Sequence, residues 1–211
     1  TDQMLDSPTN NFATLNPLFP DAGSFSEGNL KFIPSGGWDL SRCGHGMSSG
    51  KWYFEAISLA TAYITVGITR GHGHGSTAYV GYDSNGNVYG FGYNVGGEIL
   101  GDTGTGTVTS NSLATVTSYS LGDVIGVAFD ADNGVLNFYL NNTLLHTETG
   151  VDSAEWFFST SGYNGSGSVL NFGQDSSFAG NETRQGNTDA NGIGDFYYAP
   201  PAGYLALCSA N

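Results

Sequence analysis

Positive charge is scarce in this sequence. Only 5 lysine and arginine residues stand against 19 aspartate and glutamate residues, which gives a formal net charge of −14 over 211 residues. A surface with this balance repels the phosphate backbone of nucleic acids and anionic membrane headgroups, so we expect no nucleic acid partner and no membrane insertion. No apolar run approaches the roughly 18 residues of a membrane span. The first residues also lack the basic and apolar regions of a signal peptide.

Cysteine is equally rare, with Cys43 and Cys208 alone. Two thiols exclude a dense disulfide framework and a four-thiolate zinc site within the chain. The two residues either pair or stay as separate buried thiols. The turn-rich surroundings of Cys43 and the apolar run before Cys208 favour two buried thiols. We expect no cofactor.

Glycine and aromatic residues, in contrast, are abundant: there are 33 glycines, and aromatic residues make up 13% of the chain. This composition is typical of turns and half-buried strands and not of charged helices. Short strand-like runs separated by turn residues, without an amphipathic run of helical length, predict an all-β fold with little helix. The predicted architecture is an antiparallel two-sheet β-sandwich.

The domain organisation follows from proline and polar content. Residues 1–28 predict an extended N-terminal arm that packs on a sandwich formed by residues 29–211, and residues 176–195 predict a polar insertion. The sequence does not begin with Met and stops just after an apolar stretch, so we expect it to be a piece of a longer protein. Predicted strands cover residues 29–33, 51–57, 62–69, 78–82, 87–93, 156–160 and 168–172.

The most informative local pattern is a hairpin in residues 122–142. Leu136, Phe138 and Leu140 alternate with other residues and therefore share one face of a strand. Asn133 and Gly134 supply the positive backbone angles that a two-residue hairpin turn demands. The pattern thus predicts two central strands joined by a turn at residues 133–134.

This hairpin resembles the signature of the SPRY domain family, and two more segments extend the resemblance. Residues 42–55 resemble a segment of the family in which Tyr53, Phe54 and Glu55 stand at the entrance of a strand, and residues 157–164 resemble the segment before a loop that often touches ligand. The matching segments lie in order within residues 29–172. The resemblance implies a bent, concanavalin-like β-sandwich that binds partners and is not an enzyme.

The two flanking stretches carry a second resemblance. Residues 6–18 and 200–211 are similar to stretches beside SPRY-like units in structural proteins of bacteriophages and environmental viruses. This similarity implies a module that decorates a capsid, neck or fibre on the extracellular surface of a phage particle. Its partner would be a virion neighbour or a host surface receptor.

Binding by such a module is expected at loops around residues 38–45, 71–79 and 162–166. In some family members an aromatic residue of the later loop contacts a bound peptide, and Tyr163 best matches its position. Trp38 and Tyr163 are the preferred exposed anchors because glycine surrounds them. The predicted partner-binding residues combine such aromatic anchors with polar neighbours: Trp38, Arg42, His72, His74, Tyr79, Tyr163 and Asn164.

Patterns for metal binding and catalysis are weak. The segment Asp130–Gly134 departs from a calcium loop because its glycine comes one position early, and His72 and His74 lack a third ligand. Residues 102–104 are a single copy of the aspartic protease tripeptide, where two are needed. The glutamates are dispersed, without the carboxylate pair of a glycosidase. We therefore expect no metal site and no catalysis.

Two other functions remain open from the residues. A lectin-like carbohydrate-binding module on a cell or virion surface is the main alternative, since sandwich scaffolds and exposed aromatic residues also suit stacking on sugars. Enzymatic cleavage of a surface polysaccharide comes third, because it needs acids gathered in one cleft.

Overall fold

A computed structural model of the chain describes residues 10–19, 22–70, 79–82, 89–101 and 111–211. Within these ranges the secondary structure consists of strands, with no helix, and no segment there could span a membrane as an apolar helix. The all-β prediction is confirmed. The strands are β1 (Ser24–Ser26), β2 (Lys31–Ile33), β3 (Trp38–Arg42), β4 (Lys51–Ser58), β5 (Ile64–Arg70), β6 (Tyr89–Asn94), β7 (Glu98–Gly101), β8 (Asn111–Thr115), β9 (Val124–Asp130), β10 (Val135–Leu140), β11 (Thr143–Thr149), β12 (Phe157–Tyr163), β13 (Ser168–Asn171) and β14 (Leu205–Ala206).

The strands form two sheets, as predicted. An eight-stranded sheet has the order β1-β2-β13-β4-β9-β10-β11, and β14 pairs with β4 in parallel. A six-stranded sheet has the order β3-β12-β5-β6-β7-β8. Every other described strand pair is antiparallel.

Aromatic side chains between the sheets form much of the main core. The rings of Phe54 on β4 and Phe158 on β12 lie 4.3 Å apart between centroids, and Phe172 lies 5.6 Å from Phe54. Trp156 is also buried and packs against Phe129. Full burial of each side chain of this size contributes about 1.5–3 kcal/mol, so these rings hold the two sheets together.

The central hairpin has its predicted face but not its predicted turn. Leu136 and Phe138 are buried in the core, and Leu140 packs partly buried against it. Asp130 pairs with Val135, so four residues connect β9 and β10 instead of two. The prediction of a two-residue turn at residues 133–134 is therefore wrong.

The side chain of Asp130 accounts for this longer connection. Its carboxylate accepts hydrogen bonds from the backbone N–H of Asn133 at 3.1 Å and from the Asn133 amide at 2.8 Å. A two-residue turn lies one hairpin later, where Asn141 and Asn142 join β10 to β11 with φ angles of 46° and 67°. Both angles are those that a type I′ turn requires.

The ends of the described chain pack onto the eight-stranded sheet and beside it. Phe12 and Leu15 are buried and form isolated β-bridges with Cys208 and Cys43. Both cysteines are buried thiols, which confirms the favoured prediction. Burial raises the pKa of the Cys43 thiol to about 12.

The C-terminal segment, residues 174–211, covers the outer face of the eight-stranded sheet. Phe196, Tyr204 and Ala206 form a second apolar cluster with Tyr53 of β4 and Ala128 of β9. The predicted polar insertion lies within this segment and forms no strand. Its polar groups bond to one another, since buried Asp195 accepts a hydrogen bond from Ser176 at 2.6 Å and pairs with Arg184.

A tight turn covers the outer face of the six-stranded sheet. Tyr79 and Tyr82 exchange two backbone hydrogen bonds of 3.0 and 2.8 Å around Val80 and Gly81, whose φ is 83°. Val80 is buried against Leu40, and its N–H donates to the Ser161 hydroxyl at 3.0 Å. The predicted strand at residues 78–82 is therefore wrong over its described part, because the chain reverses there.

Candidate functional site

Five aromatic side chains meet at one end of the outer face of the six-stranded sheet, and we call them the aromatic cluster: Trp38, Tyr63, Tyr79, Tyr82 and Tyr163. Trp38 begins β3 and Tyr163 ends β12, and the two residues are direct partners in the strand register. Tyr63 comes just before β5. Tyr79 and Tyr82 close the covering turn. Residues from four separate parts of the chain thus reach one place.

Trp38 lies at the centre of the aromatic cluster. Its ring centroid is 4.4 Å from that of Tyr79, 5.6 Å from that of Tyr163 and 6.1 Å from that of Tyr63. The rings of Tyr63 and Tyr163 meet edge to face at 5.3 Å, and Tyr79 stacks on Tyr82 at 4.8 Å. Each such pair contributes about 0.5–1.5 kcal/mol beyond area burial. The rings therefore hold one another in place while remaining partly exposed, and Tyr63 is 52% exposed.

A pocket of about 190 Å³ opens beside these rings. Trp38, Tyr63 and Tyr79 form its aromatic wall, and Thr65 and Asn94 add polar groups; Ile64, Val95 and Gly96 complete the lining. Small-molecule sites usually measure roughly 300–1,000 Å³. The smaller volume here suits one side chain or one sugar ring.

Glycine residues in β6 allow the covering turn to lie close to the sheet. A Cβ atom on Gly92 would stand 2.6 Å from the carbonyl oxygen of Val80, and one on Gly90 would stand 2.9 Å from the backbone nitrogen of Gly81. Real Cβ atoms do not approach backbone atoms so closely. Because these positions are glycine, the turn rests directly on β6 and brings Tyr79 to Trp38.

The turn after β12 sets the position of Tyr163. Asn164 and Gly165 have φ angles of 51° and 81°, and the Ser166 N–H donates to the Tyr163 carbonyl at 3.0 Å. Two consecutive positive φ angles are typical of a type I′ turn, which asparagine and glycine favour. Asn164 is exposed at this turn, next to the aromatic cluster.

Glu98 is the acidic residue linked to the pocket. Its carboxylate accepts a hydrogen bond from the Asn94 amide at 2.8 Å, and its backbone N–H donates to the Asn94 side-chain oxygen at 2.9 Å. Burial raises the pKa of Tyr79, and the charges of Tyr82 and Glu98 raise it further. The Tyr79 phenol is therefore neutral at neutral pH.

The structure brings together part of the predicted binding residues. Trp38, Tyr79 and Tyr163 belong to the aromatic cluster, and Asn164 follows it in the chain. The predicted set omits Tyr63, because the sequence pattern placed this residue inside the predicted strand at residues 62–69. Its φ of 61° places it before the strand and leaves it exposed, and no residue type in this stretch signals that angle.

Arg42 lies apart from the aromatic cluster. It ends β3 four residues after Trp38, about 13 Å away at the usual rise of a strand. Its guanidinium stands between the rings of Phe19 and Phe157, 4.3 Å from each centroid. His72 and His74 fall outside the described residues, so their predicted contribution to binding stays a prediction.

Glu55 of β4 is a buried carboxyl on the opposite side of the molecule, under the C-terminal segment. Its oxygens accept the backbone N–H groups of Tyr197 and Tyr198 at 2.8 and 2.7 Å, the Asn171 amide at 3.2 Å and the Tyr53 hydroxyl at 3.3 Å. Burial raises the pKa of Glu55 to about 7, although these donors oppose the rise. Since it is fully buried, Glu55 joins two segments and does not face a substrate.

Acidic and thiol groups elsewhere stay apart. Among the residues whose positions the structure gives, no three His, Cys, Asp or Glu side chains come together as a metal site would require. In the segment Asp130–Gly134, Asp130 pairs with Lys51 at 2.9 Å and Asp132 accepts the Gly50 N–H at 3.0 Å. These carboxylates fasten one loop to another.

By its fold the protein is a two-sheet β-sandwich domain, and comparison with known proteins supplies its family. The sequence model of the SPRY domain matches residues 51–175, which is more than half of the chain. The chain belongs to the SPRY domain family. SPRY domains are generally protein-interaction modules without catalytic activity.

Solved structures agree with this fold. The chain is similar to the SPRY domain of human HERC1, with 17% identity, a TM-score of 0.60, and coverage of 74% of this chain and 96% of that chain. It is also similar to the TRIM65 PSpry domain, with 14% identity, a TM-score of 0.52, and coverage of 76% and 92% respectively. At these identities the likeness concerns the fold alone. No curated protein matches the sequence.

Proposed function

We propose that this SPRY domain is a non-enzymatic binding module that holds a protein partner at the aromatic cluster. The observation that carries the proposal is the convergence of Trp38, Tyr63, Tyr79 and Tyr163 around a 190 Å³ pocket. Tryptophan and tyrosine supply most binding hot spots in protein interfaces, because they bury large areas with few rotatable bonds. The family supports a protein partner, since SPRY domains are generally protein-interaction modules.

We further propose that the module is displayed on a phage particle, where it binds a virion neighbour or a host surface receptor. The support is the similarity of residues 6–18 and 200–211 to flanks of viral structural modules, together with the net charge of −14. An antibody against the domain should label intact particles. Staining of host cell material without any labelling of particles would contradict this placement.

Carbohydrate binding is the second candidate function. Its support is the meeting of an aromatic wall with the polar groups of Thr65 and Asn94 in one pocket, because sugar sites combine ring stacking with hydrogen bonds. A glycan array separates the two candidates. Retention of a defined glycan by the wild-type domain, lost in Trp38→Ala, would favour this second function.

The main test is affinity capture with the immobilised domain. Wild type, Tyr163→Ala and Tyr63→Ala are incubated with solubilised particle proteins and host surface proteins. Both variants should retain at least about tenfold less partner, as expected for hot-spot residues. Leu121→Ala is the matched control, because Leu121 is exposed and is not part of the aromatic cluster.

Folding must be measured beside capture. Far-UV circular dichroism and thermal unfolding should show native structure in all variants, since Tyr63 is 52% exposed and Tyr163 is only partly buried. Undiminished capture by folded Tyr163→Ala and Tyr63→Ala would reject the aromatic cluster as the binding site. Equal losses in Leu121→Ala would reject it as well.

A further inference from the structure

We infer that the pocket of the aromatic cluster receives a positively charged side chain, lysine or arginine, from the protein partner. The inference rests on the proposed function and adds the chemistry of the group that is bound. Three features support it: the aromatic wall, the acidic neighbour, and the positions of the chain's own positive charges.

The aromatic wall is the first feature. Trp38, Tyr63 and Tyr79 line the pocket, and Tyr163 packs behind Trp38 and Tyr63. The faces of such rings carry partial negative charge and attract ammonium and guanidinium groups, most strongly in tryptophan. An aromatic wall built from these three side chains therefore suits a cationic group.

The second feature is the polar side of the pocket. Glu98 holds the Asn94 amide at 2.8 Å, so a carboxylate stands directly behind one wall. The Thr65 hydroxyl and the Asn94 side-chain oxygen are hydrogen-bond acceptors, which N–H donors of a lysine or arginine can use. Polar residues thus share the pocket lining with the rings, and a carboxylate bonds to one of them, Asn94.

The third feature is that the chain's own lysine and arginine residues lie elsewhere. All five lysine and arginine residues fall in the described ranges, and none of them lines the pocket. Three of them form ion pairs: Lys51 with Asp130, Arg70 with Asp152, and Arg184 with Asp195. Arg42 stands between two phenylalanine rings. Lys31 lies on β2, in the other sheet.

The charge of the whole chain acts in the same direction. A net charge of −14 raises the local concentration of cationic partners and repels acidic ones. The pocket volume of about 190 Å³ accommodates one long side chain. We therefore expect a partner that presents a single exposed lysine or arginine on a basic surface.

The experiment titrates the full chain with three small probes and follows tryptophan indole signals by NMR. The probes are N-acetyl-arginine amide, N-acetyl-lysine amide and N-acetyl-citrulline amide, the last being an uncharged analogue shaped like arginine. The protein has three tryptophans, and Trp38→Phe identifies the Trp38 signal. If that variant does not fold, backbone-linked assignment of the wild type identifies it.

The Trp38 signal should move with the arginine and lysine probes, while the signal of buried Trp156 should stay. The arginine probe should bind at least about fivefold more tightly than the citrulline probe. Glu98→Gln should weaken binding of the arginine and lysine probes about threefold without affecting binding of the citrulline probe. Added salt should also weaken binding of the two charged probes and leave binding of the citrulline probe unchanged. Tyr63→Leu should weaken both charged probes.

The outcomes distinguish this inference from the function on which it rests. Equal affinity for citrulline and arginine, or no movement of the Trp38 signal with either charged probe, overturns the cationic preference. A partner that is captured by the wild type and lost in Tyr163→Ala would still support the binding module in that case. If capture also fails to depend on the aromatic cluster, the proposed function itself is rejected.

Discussion

Replacing Glu55 by glutamine removes the charge of a buried carboxyl while keeping its shape. In the wild type, burial raises the pKa of this group from 4.5 to about 7, with the backbone N–H groups of Tyr198 and Tyr197 opposing the rise. The folded protein therefore holds the Glu55 proton more tightly than the unfolded chain does. The stabilising contribution of this proton is complete below about pH 4.5 and is lost as the pH rises through 7.

The size of the effect follows from this difference in pKa. Roughly 2.5 pKa units, at about 1.36 kcal/mol each, correspond to about 3 kcal/mol of unfolding free energy. Glu55 is fully buried, so solvent does not screen this contribution. The glutamine variant has no proton to lose, so its free energy of unfolding should lack this contribution to the pH dependence.

The assay is urea unfolding at about pH 4.5 and about pH 8.5, followed by tryptophan fluorescence and circular dichroism. Between these two values the wild type should lose about 3 kcal/mol more stability than Glu55→Gln. Glu155→Gln is the control, since Glu155 is exposed, and it should follow the wild type. If Glu55→Gln loses as much stability as the wild type over this range, the neutral form of Glu55 is not favoured by folding and the reasoning fails.

Two further predictions concern packing. Gly92→Ala should lower the free energy of unfolding by about 1–3 kcal/mol, because its Cβ atom would stand 2.6 Å from the Val80 carbonyl oxygen. Gly36→Ala is the control, since a Cβ atom there would have no neighbouring atom within 4 Å. Equal urea midpoints for the two variants would contradict the prediction. Cys43 and Cys208 should not react with a thiol reagent in the native state at pH 8 and should both react in urea, since both are buried and burial raises the pKa of Cys43 to about 12. Fast native labelling of Cys43 would show that the thiol is accessible.

Much of the fold could be predicted because local patterns agree with the tertiary structure. Residues 51–58 and 124–130 are buried along almost their whole length, and their aromatic and β-branched side chains indicate strands directly. The turn at residues 133–134 could not be predicted, because Asn-Gly suits both a two-residue turn and part of a longer connection. The side chain of Asp130, by bonding to Asn133, selects the longer one.

Residues 79–82 show the limit of alternation as a strand signal. The pattern of aromatic and small residues suits a strand, but Gly90 and Gly92 of β6 leave room for backbone to lie on the sheet, and the chain makes a turn there. That space exists only after β6 has paired with β5. It depends on contacts distant in sequence, which a local pattern does not contain.

The candidate site was partly predictable for a similar reason. Glycine neighbours correctly indicated that Trp38 and Tyr163 lie near the surface, but their contact depends on the register of β3 against β12. Arg42 shares β3 with Trp38, and only the strand's length shows that it lies too far away. Tyr63 was missed because its positive φ is set by its surroundings.

The register of Trp38 against Tyr163 has a consequence for the thermodynamics of recognition. Both rings stand on strand ends that are hydrogen-bonded within a sheet, and they pack against two other rings. Their rotamer freedom is therefore largely lost during folding, before any ligand arrives. Most of the conformational entropy lost on binding then comes from the ligand. A more rigid ligand should therefore improve affinity more than a more rigid aromatic cluster would.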